Sequence, residues 1–305
     1  MRVLVTGAGG NLGRVVLPAL REAGHEPVAY DMRPLELEYE SHVGDVSDAE
    51  RLRAALPGVE AIVHGAALHG VHLRRYAPAD FWRTNATGTF TVYDAARAAG
   101  VDRIVLASTM GVYGQSLRRS ADAFAWTSED DPTLPLDVYG LTKVVAEETA
   151  RQHGRVHGIT SVALRLGMYV PESFVRYGFR LLFGGVDDRD VAQAVLAALG
   201  HDPQGRFAAF NIMASVPFTR ADAVQMAQDP AALIERHWPG AGATLRERGI
   251  DDVRPYIWGE TIWPVDRARR ELGYRPQYDF GRFLEALARD DESLYPFAGL
   301  PQWGL

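Results

Sequence analysis

The sequence opens with MRVLVTGAGGNLGR, Met1 to Arg14, and the reading of this stretch decides the fold. Val3, Leu4 and Val5 form an apolar, largely β-branched run, the pattern of a strand buried on both faces of a parallel sheet. The run breaks at Thr6-Gly7 into a glycine-rich turn. Beyond Gly13, RVVLPALREAG is apolar at helical spacing and stops at Gly24. A strand, a glycine loop and a helix in that order leave backbone N–H groups and a helix N-terminus to hold the pyrophosphate of a dinucleotide. Gly7, Gly10 and Gly13 follow G-x-x-G-x-x-G, with Asn11 and Leu12 inside the turn, whereas the commoner G-x-G-x-x-G would need glycine at Leu12. A plain tight connection would use the same glycines.

Working outward, Glu26 to Tyr30 reads as a second strand ending at Asp31. A carboxylate there, about 20 residues past the glycine loop, can accept hydrogen bonds from an adenosine ribose and would repel a 2′-phosphate, which favours NAD over NADP. Arg33 pulls the other way, and an exposed turn aspartate is the plainer alternative. His42 to Glu50 reads as a short strand and a helix start, with Ser47 and Glu50 in capping-box spacing. Asp45, followed by Val46, closes that strand within reach of an adenine amino group. The strand Ala61 to His64 runs into Gly65-Ala66-Ala67, whose small side chains let backbone pass close to a ligand, although a simple turn would look alike.

A long helix over Asp80 to Ala99 holds Asn85, and a strand from Arg103 to Ala107 ends at Ser108-Thr109. Gly111 to Asp137 is polar and proline-containing, a substrate-side loop. The helix Tyr139 to His153 and the strand Ser161 to Arg165 follow. This alternation calls for a parallel sheet covered on both faces. Farther on, Asp188 to Leu199 reads as an amphipathic helix capped by preceding aspartates, and Phe207 to Ile212 returns a strand to the sheet. Helices are expected at Ala231 to His237, Val265 to Leu272 and Phe280 to Arg289, before a docked apolar tail, YPFAGLPQWGL. Residues 1–165 form the dinucleotide domain, completed by 206–213, and 166–305 a smaller, interleaved substrate-binding region.

The 305 residues can bury a substantial core, and a net charge of -7 offers nothing to nucleic acid or an anionic membrane. No segment is long and apolar enough to span a bilayer and no signal peptide opens the chain, so a cytoplasmic location is expected. Without cysteine there are no disulfides, thiol nucleophiles or thiolate metal ligands. His64, His69 and His72 lack an acidic neighbour at ligand spacing, and no metal is expected.

Of the 32 basic side chains, only Lys143 is a lysine, which suggests that its site needs a compact ammonium. It lies one helical turn from Tyr139, so both side chains can enter one site. A phenol with a pKa of about 10 is a poor base near neutrality, and an adjacent ammonium lowers it. Thr109, at a strand's C-terminal end where open α/β sheets bind ligands, can share a substrate oxygen with Tyr139.

With TGAGGNLG (6–13), Asp31, GDVSD (44–48), HGAA (64–67), TNATGT (84–89), ASTMGVYG (107–114), YGLTK (139–143) and DRARRELGYRP (266–276), the chain resembles an extended short-chain dehydrogenase/reductase of the NAD-dependent epimerase/dehydratase family. The resemblance spans the whole chain. It implies a Rossmann-type doubly wound parallel sheet with a small, mostly C-terminal substrate-binding subdomain, and bound NAD. It implies Tyr139 as catalytic acid/base, Lys143 on the nicotinamide ribose, Thr109 in the serine/threonine role, and Asn85 as the family's helix asparagine. It also implies a homodimer through the helices bearing Asn85 and Tyr139. Nucleotide-sugar members carry R-x-x-N-V-Y-G-P after the fifth strand, where this chain has RLGMYVP with Met168 in place of asparagine, followed by a shorter segment to Val186. That segment is similar to uronate dehydrogenases, which carry S-S-N-H-V-I-G where this chain has STMGVYG.

Arg176 and Arg180 can bind a substrate carboxylate bidentately or can be solvated surface arginines. His69, Ser108 and Met110 are further substrate candidates. The leading expectation is hydride transfer at a hydroxyl or carbonyl carbon of a sugar or sugar-like small molecule. The alternatives are a nucleotide-sugar epimerase or dehydratase with tightly bound NAD, and a non-catalytic dinucleotide sensor.

Overall fold

The computed structural model describes residues 1–117 and 122–300. Residues 118–121 of the expected substrate-side loop and 301–305 of the tail lie outside the described residues. Seven strands form one parallel sheet: β1 (Arg2–Thr6), β2 (Glu26–Asp31), β3 (Glu40–Val43), β4 (Ala61–His64), β5 (Arg103–Thr109), β7 (Thr160–Leu166) and β8 (Phe207–Ile212), in the order β3-β2-β1-β4-β5-β7-β8. Two short strands, β6 (Ala125–Trp126) and β9 (Thr261–Ile262), pair in parallel and tie the 111–137 loop to the C-terminal region. The order reverses between β1 and β4, so a crevice forms outside their carboxyl ends, where such sheets take ligands.

The apolar runs found in the sequence are the strands, and both faces are covered. On one face α1 (Asn11–Glu22) and α7 (Asp188–Leu199) bury Leu12, Val16, Leu17, Leu20, Val191, Val195 and Ala198 over the sheet. On the other, α4 (Gly88–Ala99) and α5 (Val138–His157) bury Val92, Tyr93, Ala96, Ala146 and Ala150. Each of the buried valines and leucines contributes about 1.5–3 kcal/mol of burial relative to exposure. A separate core joins α6 (Phe174–Arg180), the segment that follows it, and the late helices, including α11 (Phe280–Ala288). Asp190 in the first turn of α7 accepts the backbone N–H groups of Gln277 (2.8 Å) and Tyr278 (3.0 Å), which docks the end of the ELGYRP stretch. The tail packs through Tyr295, whose ring stacks on Tyr177 at 3.9 Å.

Three local expectations need correction. The Asp80–Ala99 helix is present and runs unbroken from Pro78 to Ala99, but its middle, Trp82–Thr87 with Asn85, is π-helical before it continues as α4. The cap of helix Ala49–Ala54 is Asp48, whose carboxylate accepts the N–H groups of Glu50 and Arg51, because Ser47 is turned back onto Asp45. α6 and the helices Asp222–Gln228 and Ala241–Glu247 were not expected; all are seven residues long, too short for a sustained amphipathic pattern.

Candidate active site

The glycine loop is shaped by close approach. Gly7 has φ +70°, a conformation that L side chains rarely adopt, and a Cβ there would lie 2.8 Å from the Ala66 backbone. A Cβ at Gly13 would lie 2.1 Å from the Ala8 carbonyl oxygen. Gly10 is the N-cap of α1, makes no side-chain cap hydrogen bond, and is followed by no acidic residue in the first turn. The N–H groups and the positive helix end therefore fit a pyrophosphate without a competing carboxylate.

Asp31, buried at the end of β2, reaches this loop. One carboxylate oxygen accepts the Gly9 N–H at 3.0 Å, and the other accepts the Arg33 N–H at 3.1 Å and faces Arg33 Nε at 3.4 Å. Asp45 accepts Ser47, and its second oxygen lies 3.6 Å from Arg83, while Val46 packs where a Gly88 Cβ would fall.

Across the crevice, Gly65-Ala66-Ala67 is held by a buried relay. Thr89 donates to the Asn85 carbonyl (2.5 Å), so it accepts from His64 Nε2 (2.9 Å), and His64 Nδ1 accepts from Thr6 (2.7 Å). Burial first, and then the Lys143 ammonium, push the His64 pKa down to about 3, so this histidine is a neutral strut. Asn85 accepts the Leu68 N–H at 2.8 Å and donates to the Leu68 carbonyl at 2.9 Å and the Thr142 hydroxyl at 3.1 Å, fastening the post-β4 loop to α5. It does not line the cleft.

Tyr139, Lys143 and Thr109 meet at one cleft with Gly7, Gly10, Asn11, Leu12, Gly65, Ala67 and His69. Asp137 caps α5 by accepting the Gly140 N–H at 2.7 Å, which sets Tyr139 in the first turn. Thr109 accepts the Gly111 N–H at 3.1 Å and lines the same cleft as Tyr139, near enough to favour the phenolate. The expected lowering of the Tyr139 pKa by Lys143 is not what this geometry gives. Burial raises it above the ordinary phenol value, opposed by Thr109, because Lys143 Nζ donates to the Ala107 carbonyl (2.8 Å) and not to the phenol. Burial also pulls Lys143 down to about 8, with Glu147 opposing. The His69 ring lies 5.0 Å from that of Tyr139, and burial pulls its pKa down to about 4.

Ser108 lines the cleft, but its hydroxyl donates to buried Glu147 (2.7 Å). Met110 packs beside a small core around Tyr113 and Trp263 and is not among the cleft residues. Arg176 is exposed, outside the cleft lining. Arg180 is neither a cleft residue nor a solvated one. It is fully buried, donates to the Val170 carbonyl and Glu172 (2.8 Å), and lies near the Tyr177 and Tyr295 rings (5.5 and 5.8 Å). Sequence reasoning missed Tyr169 and Val170, which line the cleft just past β7; their place after a strand's carboxyl end was the available signal. Among the described residues, no group of three or more His, Cys, Asp or Glu side chains could hold a metal, and no helix is long and apolar enough to cross a membrane.

A doubly wound sheet with a glycine cradle and a tyrosine–lysine pair at the same crevice defines a dinucleotide-dependent oxidoreductase of the short-chain dehydrogenase/reductase type. The model of the NAD dependent epimerase/dehydratase family matches residues 3–173. The chain belongs to that family, and its cofactor is NAD. It is 34% identical to a UDP-glucose 4-epimerase of Azospirillum brasilense over 91% of this chain and 88% of that one. It is 32% identical to a uronate dehydrogenase of Pseudomonas putida, over 96% and 92%. A short-chain dehydrogenase/reductase superfamily structure from Agrobacterium tumefaciens with bound NAD superimposes with a TM-score of 0.69 at 27% identity, covering 95% of this chain and 96% of that one.

Proposed function

We propose that this chain is a dehydrogenase that oxidises or reduces a free sugar or sugar-like small molecule, with no nucleotide handle on the substrate. The observation that carries this reading is the segment after Met168. Met168 donates its N–H to Gly184 (3.0 Å) and accepts from Val186 (3.0 Å), and α6 between them is built into the C-terminal core. The segment is packing, so little of it is left to grip a nucleotide. NAD, when bound, takes or returns the hydride. Tyr139 exchanges the proton with the substrate oxygen, Thr109 holds that oxygen, and Lys143 holds the ribose. With its phenol pKa raised, Tyr139 rests protonated, the form that donates to a carbonyl. Asp31 and the glycine loop hold the adenosine and pyrophosphate. His69, at the cleft, is a candidate partner for a substrate hydroxyl.

The likeness to a UDP-glucose 4-epimerase supports a second reading, interconversion of a nucleotide sugar without net redox change. Incubation with NAD and either free sugars and sugar acids or UDP-sugars separates the two. NADH formation with a free sugar or sugar acid is expected; UDP-sugar interconversion without it would overturn the first reading.

The homodimer belongs here too. Phe90 and Leu141 are exposed, and Phe90, Val144, Val145 and Thr149 line a shallow groove between α4 and α5. That face suits a second copy of the chain. Phe90→Glu is expected to give a monomer in sedimentation, and a monomeric unaltered protein would remove the dimer.

A further inference from the structure

Behind the cleft lies a buried ionic network that the chemistry above does not use. Tyr139, Lys143 and Glu147 follow one another at four-residue steps on α5, so Glu147 is one turn beyond Lys143. Its side chain is about 3% exposed, and so is that of Arg165 on β7. Arg165 Nε donates to Glu147 Oε1 at 3.0 Å and Nη2 to Oε2 at 2.8 Å, a two-pronged pair. Ser108 donates to the same Oε1 at 2.7 Å. The third Arg165 nitrogen donates to the Tyr113 hydroxyl (2.8 Å), which donates to Asn211 on β8 (2.7 Å). One carboxylate thus joins the helix bearing the tyrosine–lysine pair to the strand end bearing Thr109.

We propose that Glu147 is a positioning residue for the acid/base site: its carboxylate, braced by Arg165 and Ser108, supplies the negative charge that keeps the Lys143 ammonium charged inside the fold. The groups around Lys143 leave this task to Glu147. From β4 and the loop after it, His64 and His69 face Lys143, and burial holds both neutral. From β5 comes the Ala107 carbonyl, a dipole, and from α5 the neutral Tyr139 phenol one turn away. Glu147, one turn along α5, opposes the burial that pulls Lys143 to about 8, and the Arg165 cation sits on the far side of that carboxylate. Replacing a bridged buried pair by apolar residues is often neutral for stability, so the network is weak evidence of a purely structural role.

The proposal rests on the acid/base reading of Tyr139 and Lys143, and the test needs neither substrate nor turnover. Lys143 is the only lysine in the chain, so protein made with lysine carrying ¹³C at Cε gives one side-chain resonance, whose pH titration reports that ammonium alone. Glu147→Gln is expected to move the titration down by about one pH unit, and Glu147→Asp to return it toward the unaltered protein. Arg165→Met, which leaves the carboxylate without its cation, is expected to move it up. A structural brace alone would not shift the two variants in opposite directions. Titration of Lys143 at the same pH in Glu147→Gln, or in Arg165→Met should the first fail to fold, overturns the proposal. A chain that oxidises no sugar but shows both shifts keeps the proposal and loses the substrate reading.

Discussion

Tyr139→Phe is expected to lower turnover by about 10²–10⁴-fold, the range for loss of a positioned general acid or base, while leaving NAD binding and the fold in place. The ring would remain beside His69 and keep its burial in the first turn of α5. The one polar side chain that favours the phenolate is Thr109, and a hydrogen bond of the ordinary kind would be worth only about 0.5–1.5 kcal/mol net. The groups proposed to hold NAD, the glycine loop and Lys143, do not depend on the phenol, because Lys143 is anchored on the Ala107 carbonyl. Loss of kcat with NAD affinity retained, measured on a protein with an unchanged melting profile, is therefore the expected pattern. Undiminished turnover would take Tyr139 out of the mechanism.

The second large effect is expected at Gly13. A methyl there would lie 2.1 Å from the Ala8 carbonyl oxygen and 2.5 Å from its carbon, and both are backbone atoms that cannot rotate away. Gly13→Ala must displace the loop from the helix, at a cost of about 1–3 kcal/mol or more for overpacking. The displaced N–H groups no longer converge on one anion, so NAD affinity is expected to fall by at least about tenfold, the equivalent of about 1.4 kcal/mol. Gly200→Ala, at the end of α7 and away from the cleft, is the control, since its Cβ would meet only the Ala197 carbonyl oxygen, at 3.8 Å. Thermal unfolding with and without NAD measures both terms. A Gly13→Ala protein as stable and as responsive to NAD as the parent would show that the loop is not the cradle.

Much of this was legible in the sequence, for a physical reason. A strand buried on both faces must be an apolar run, and a loop that hugs backbone must be glycine, so the order of β1, the loop and α1 was written in composition. The tyrosine–lysine spacing was legible because one helical turn fixes it. What was not legible depends on partners far along the chain. Arg180 is buried because Tyr295, 115 residues later, covers it with Tyr177. Lys143 turns to the Ala107 carbonyl, a feature of where β5 ends. Arg165 read only as a strand residue and Glu147 carried no signal, until the fold set them together. The π-helical stretch at Trp82–Thr87 escaped because its residues keep helical spacing overall, while the wider turn accompanies the placing of Asn85 between two elements.

The bond between Asp31 and the Gly9 N–H has a consequence for how a dinucleotide is chosen. Two parts of the proposed subsite, the carboxylate and the loop, are already joined in the fold, so their ordering would not weaken binding. Arg33, the cation that a 2′-phosphate would seek, is drawn onto the other oxygen of the same carboxylate. Under the proposed reading, the adenosine end would meet a rim whose charges already neutralise one another, and selectivity would come from withholding a cation as much as from presenting an anion.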